Sequence, residues 1–300
     1  MPAITAHSEY LPLDTLFINP VSNAYIDTSN IESQWERLNF VSPPNFAQAV
    51  EEYSVFEQIL SSNSSSINSF PKDESLSLDA LYCRDASIAT DNGMILCRMG
   101  KEARSGEPES QKEVFEKNGI SVLGTINTPG TLEGGDVAWL DEKTLAVGHT
   151  YRTNVDGIRQ LKELLEPRGI EIIVAELPHY KGANDVFHLM SILSPVDKDL
   201  AVVYSPLMPI RFRNELIKRG FDLVEVPEEE FDSMGCNVLA LAPRKCVLVS
   251  GHPITRDRLK SAGCTVIEYL GVEISVKGGG GPTCLTRPIS RFKEWERSKI

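Results

Sequence analysis

The chain of 300 residues is short of positive charge, with 30 Lys and Arg against 42 Asp and Glu and a net charge of −12. Neutralising a nucleic-acid backbone takes clustered Lys and Arg, so phosphate polymers are disfavoured as the main partner. A small cationic substrate suits the acidic field better. Long apolar runs are also missing. No stretch approaches the roughly 20 apolar residues of a membrane span, so no membrane partner is expected. The opening MPAITAHSEYLPLDTL has neither the basic start nor the apolar run of a signal peptide. Cysteine is sparse: Cys83, Cys97, Cys236, Cys246, Cys264 and Cys284 form no CxxC pair and have no His at zinc-ligand spacing. That argues against a disulfide framework and a structural metal, and fits a reducing, cytoplasmic setting. The apolar content of 41% is enough to bury a large core.

The periodicity of the chain repeats a pattern of strand, tight polar turn, strand, amphipathic helix and strand. In GGDVAWLDEKTLAVGHTYRTNVDGIRQLKELLEPRGIEIIVAEL, the strands Val137 to Leu140 and Leu145 to Val147 flank a turn at Asp141 and Glu142. Ile158, Leu161, Leu164 and Leu165 then mark one helix face, which stops at Pro167 and Gly169 before the strand Ile170 to Ala175. Further copies start near Arg84 and Asp85, near His188 and near Asn237, with starts about 50 residues apart, a spacing typical of propellers and arrays. FINPVSNAYI and NFAQAVEEYSVFEQIL supply most of a fifth unit, which a C-terminal strand around Cys284 completes. Such closure leaves no bare sheet edge. The expected fold is α/β, one domain over 1–300 built as a ring of ββαβ units. Residues 1–16 and 290–300 are expected as tails, and the Ser-rich stretch 61–75 as a surface loop.

In a ring of like units, residues that open each repeat meet at one end of the axis. Here those residues are chemical: Arg84 and Asp85, then Glu133-Gly134-Gly135-Asp136, then His188, with Cys284 after the run GGGGPTC. A lone Cys is usually a small core residue and a lone His a structural one; His7 and His149 take that reading. Four glycines before Cys284 bring backbone close to a ligand or set an unusual turn, and no GK[ST] follows to make a phosphate loop. Together the set suits attack of a thiolate on an electron-poor carbon, with a His moving protons and two carboxylates gripping a planar cation. A guanidinium is such a cation.

LEGGDV, a later FHLMS and a final GGGGPTCLTRPI, in that order and spacing, resemble the guanidino-group-modifying enzymes, or penteins, over roughly residues 75 to 290. That superfamily includes dimethylarginine dimethylaminohydrolase, arginine deiminase and the amidinotransferases, and the resemblance implies a five-bladed pseudo-symmetric α/β propeller. It implies further that Cys284 forms a covalent thiouronium, that His188 protonates the leaving amine and then activates water, and that Glu133 holds and polarises the guanidinium. Asp85 and Asp136 would bind its other nitrogens, while Arg152 and Arg104 would grip the substrate's α-carboxylate. No cofactor or metal is needed, and a homodimer is compatible with the chain. Two departures bear on the branch. Met190 stands where deiminases carry an acid, and there is no room for their helical insertion, yet Arg84 precedes the substrate-binding Asp as in deiminases. The expected activity is hydrolysis of a C–N bond in an arginine-like guanidino substrate. An amidinotransferase with the same site, and a non-catalytic binder on the same scaffold, are the other readings.

Overall fold

The computed structural model describes residues 3–293. The chain begins with β1 (Ile4–Thr5) and β2 (Leu13–Ile18), followed by α1 (Val21–Ala24), α2 (Thr28–Gln34), α3 (Phe46–Ser61) and β3 (Ser66–Ser69). Three units with the same order follow: β4 (Ser87–Thr90), β5 (Gly93–Leu96), α4 (Glu107–Lys117) and β6 (Val122–Thr125); β7 (Val137–Asp141), β8 (Thr144–His149), α5 (Val155–Leu165) and β9 (Glu171–Glu176); β10 (Leu193–Asp197), β11 (Leu200–Val203), α6 (Ile210–Lys218) and β12 (Asp222–Glu225). After α7 (Glu228–Phe231) the fifth unit comprises β13 (Leu239–Ala242), β14 (Lys245–Val249), α8 (Pro253–Ser261) and β15 (Thr265–Tyr269), and the chain closes with β16 (Thr286–Phe292).

The four three-stranded sheets have one logic. The first strand pairs antiparallel with the second through a tight turn, and the second pairs parallel with the third through a helical crossover. The first strands are buried along nearly their whole length and the second strands are nearly continuous apolar runs, as expected of strands covered on both faces. α5 shows how the local sequence builds a unit. The Asn154 side chain accepts from Gly157 N at 2.8 Å and caps the helix. Ile158, Leu161 and Leu165 bury one face, and Gly169 ends the crossover in the left-handed region at φ 78°.

The ring closes where the two parts of the chain meet: β16 lies between β1 and β2, and β3 completes that sheet. Within the stretches read as tails, β1, the start of β2 and the end of β16 are strands of this closing sheet, while residues 294–300 lie outside the described residues. The Ser-rich stretch 61–75 contains β3, whose pairing to β2 runs from Thr15↔Ser66 to Ile18↔Ser69. No described helix is long and apolar enough to cross a membrane.

Candidate active site

The segment that delivers Cys284 is braced before it reaches the axis. Glu52 on α3 accepts from the backbone N–H groups of Val272, Glu273 and Ile274 at 2.8 to 3.3 Å, fixing a π-helical turn over Val272–Val276. The glycine run follows. A Cβ on Gly280 would lie 2.4 Å from the Tyr82 ring, and one on Gly281 2.5 Å from the Asn237 side chain. Only glycine lets the backbone pass this close and turn Cys284 into the cavity.

Cys284 is half-buried and lines a cavity of about 200 Å³ together with Asp85, Arg104, Arg152, His188 and Asn237. Asn237 Nδ2 donates to Cys284 Sγ at 3.4 Å, and its Oδ1 accepts from Thr283 N at 3.0 Å and Thr283 Oγ1 at 2.8 Å. Burial pushes the Cys284 thiol above the ordinary cysteine value, and Asp85 acts in the same direction; Thr283, Arg84 and Asn237 oppose them. Burial thus disfavours a thiolate in the free site.

His188 opens its unit from an extended backbone, with its ring Nε2 2.8 Å from Glu133 Oε2. Burial works against its positive charge, but the carboxylates of Asp136, Asp85 and Glu133 lift its pKa to about 9. Burial likewise works against ionisation of Glu133, yet His188 and the cations of Arg152 and Arg104 hold it well below the usual carboxylate range. The two form a buried ion pair. Glu133 is fully enclosed: its Oε1 accepts from Gly100 N at 2.9 Å and Lys101 N at 3.1 Å, and Arg152 Nη1 lies 3.4 Å from both oxygens.

Asp85 presents the open acceptor. Its Oδ2 takes Arg104 Nη1 at 2.6 Å, while Oδ1 is buried without a protein partner. A Cβ on Gly135 would meet both this oxygen, at 2.7 Å, and His188 Nδ1, at 2.4 Å, so the glycine leaves the space between them clear. One ligand atom from each of Asp85, Glu133 and His188 falls within 4.8 Å of the others. Such a trio has the donor set for a divalent ion, but a protonated His188 already joined to Glu133 favours a hydrogen-bonded organic cation.

Two expected substrate-binding residues are engaged elsewhere. Asp136 gives one oxygen to Thr150 Oγ1 at 2.7 Å and the other to Leu189 N at 3.0 Å, so it holds the backbone beside His188 instead of facing a ligand. Arg104 spends four of its five N–H donors on protein, on Glu107 through two 2.8 Å bonds, on Asp85 and on the Tyr82 carbonyl at 2.9 Å, so at most one Nη1 N–H is left for a substrate carboxylate. Arg152 lines the cavity, and among the described residues its side chain makes two long contacts, both to Glu133, so its remaining donors stay available. Asn237 was not singled out for chemistry from sequence, although it opens its repeat. Like Asp85 and Cys284, it stands two residues before an inner strand.

Comparison with known proteins identifies the family. The family model described as N,N dimethylarginine dimethylhydrolase, eukaryotic, matches residues 27–291. The N(G),N(G)-dimethylarginine dimethylaminohydrolase of Pseudomonas aeruginosa is 27% identical over 243 residues, which is 81% of this chain and 89% of that protein. An arginine deiminase of Latilactobacillus sakei is 26% identical over 256 residues, covering 71% of this chain and 61% of its own length. Among solved structures, the substrate-bound N-terminal domain of ArgZ, a cyanobacterial arginine dihydrolase, aligns with a TM-score of 0.78 at 19% identity, over 92% of this chain and 98% of that one, which shows the shared fold. With the family model spanning most of the ring and a Cys, His and acids gathered at its axis, this chain belongs to the N,N-dimethylarginine dimethylhydrolase family, within the pentein hydrolases that act on C–N bonds of amidines.

Proposed function

We propose that this protein hydrolyses a guanidino C–N bond of arginine or an Nω-substituted arginine through a covalent adduct on Cys284. The observation that carries the reading is the open Oδ1 of Asp85 in a cavity shared with the Cys284 thiol and the charged His188. The guanidinium donates to Asp85, and its charge lowers the cost of ionising the thiol, which releases its proton to bulk water as the substrate binds and regains one when the sulfur is set free at the end of the cycle. Sulfur attacks the guanidino carbon and His188 gives its proton to the departing nitrogen, so the C–N bond breaks and an amine or ammonia leaves. Neutral His188 then takes a proton from water as its oxygen attacks the thiouronium carbon. Collapse breaks the C–S bond and yields a ureido product.

Glu133 serves differently from the role implied by sequence. Its oxygens are committed to backbone N–H groups, His188 and Arg152, so it keeps His188 charged and aimed, while Asp85 binds the cation. Arg152 is placed to hold the α-carboxylate of an amino-acid substrate.

The decisive experiment incubates the protein with arginine, methylated arginines, agmatine and guanidino acids and follows ureido product and released amine by mass spectrometry. One substrate should give both products, and Cys284→Ser should give neither while remaining folded. Turnover retained in Cys284→Ser would overturn the mechanism. Amidino transfer to an added amine, with no ureido product, would replace hydrolysis with transfer.

A further inference from the structure

A second charged cluster in the ring lies outside the cavity lining. Arg84, Arg287 and Arg291 are 1%, 6% and 1% exposed, and Glu9 is 7% exposed. Arg84 Nη2 donates to Glu9 Oε1 at 2.8 Å, but its Nε and Nη1 are buried with no protein acceptor. Arg291 Nη1 reaches the carbonyls of Leu11 and Ala240, the latter at 2.9 Å, and its Nε and Nη2 are likewise buried and unpartnered. Arg287 is spent on backbone carbonyls, including Ser87 O at 2.7 Å.

Carbonyls satisfy hydrogen bonds but supply no net charge. Three guanidiniums therefore face one carboxylate, and Glu9 is the acid that acts on both Arg287 and Arg291. A guanidinium does not shed its proton in a protein, and a buried charge without a counter-charge is strongly disfavoured. Water could take up the hydrogen bonds of the four open nitrogens. It could not offset the charge.

We propose that the ring holds a small inorganic anion of halide size, bound by Nε and Nη1 of Arg84 and by Nε and Nη2 of Arg291. The two arginines flank one stretch of chain, since Glu9 holds Arg84 and Leu11, two residues on, holds Arg291. Planar guanidiniums with adjacent N–H groups are suited to an anion. The near-complete burial of both side chains favours a monatomic ion, and the site does not depend on the reaction proposed above.

The test uses the full chain freed of halide in gluconate buffer. Bromide is titrated in at constant ionic strength, and crystals are soaked in bromide for anomalous diffraction. The midpoint of thermal unfolding should rise by several degrees and level off with bromide, because the ion binds the folded state alone. Anomalous density should appear within hydrogen-bond distance of the four open nitrogens, and Arg291→Gln should lose the bromide-dependent rise. If that variant does not fold, the density in the unmodified protein decides. Water density with no anomalous signal, or a midpoint that follows ionic strength alone, overturns the proposal.

Discussion

The Cys284 thiol is half-buried, and its chemistry turns on what lowers the cost of ionising it. In the free protein, alkylation of Cys284 by iodoacetamide should show a midpoint above the ordinary cysteine value of about 8.5. Asn237→Asp should move that midpoint higher still, because a carboxylate beside the sulfur disfavours the thiolate, while a merely structural Asn would leave the profile in place. A midpoint near neutrality would instead show a resting thiolate. Arg104 makes a second point at this scale. Arg104→Gln leaves Glu107 and Asp85 without their buried cation, so we expect a loss of roughly 3–5 kcal/mol of stability together with lost turnover. Unchanged unfolding and a raised KM alone would make it a substrate contact after all. Arg152→Ala should raise KM for amino-acid substrates and spare decarboxylated analogues; equal losses on both would reject its carboxylate role. Residue types and order were legible in the sequence because each chemical residue opens a repeat. Their division of labour was not. Whether Arg104 or Asp136 faces a ligand depends on which buried neighbour claims its hydrogen bonds, and Glu107 lies on a helix whose sequence does not mark it.

At the scale of elements, two glycine segments bring the unit starts together. Gly134 N donates to the Asp85 carbonyl at 2.7 Å, and Gly135 separates Asp85 Oδ1 from His188. Gly135→Ala would force one of those side chains aside by about an ångström, a displacement able to cost on the order of 100-fold in rate. Gly169→Ala, where nothing lies within 4 Å of the added methyl, is the control: it strains a left-handed residue without touching the site. Equal kcat/KM for the two would show that the Gly135 contact has no catalytic consequence. The repeating ββαβ order was readable because its inner strands are apolar runs and its helices amphipathic. β3 was not, since SINS is polar and half exposed and has no period-two apolar face. Its strand state comes from the parallel ladder to β2, a tertiary contact that local sequence does not encode. The two-residue β1 is too short to show any period and is defined only by β16.

The whole ring buries more ionisable groups than a reaction needs, and their protons couple to its stability. His188 has its folded pKa raised to about 9, so its contribution is complete below its unfolded value near 6.5 and is lost as pH rises through about 9. Burial raises the Asp136 and Glu107 carboxyls to about 6 and about 7, so the folded state also holds their protons longer than the unfolded chain, and their contributions fade as pH climbs through those values. Glu133 runs the other way: its depressed pKa gives stability that is present above about 4.3 and lost only as acid reaches its folded value. Between about pH 6.5 and 9 His188 is protonated in the fold and neutral in the unfolded chain, so its share of the stability falls as pH rises. His188 alone accounts for on the order of 3 kcal/mol of that fall. Thermal unfolding at constant halide and ionic strength should therefore show a lower midpoint at pH 9 than at pH 6, and His188→Gln should flatten the part of the profile above 6.5. A midpoint that stays level or rises to pH 9 in the unmodified protein would mean that His188 is neutral in the fold, and the leaving nitrogen would then need another proton donor.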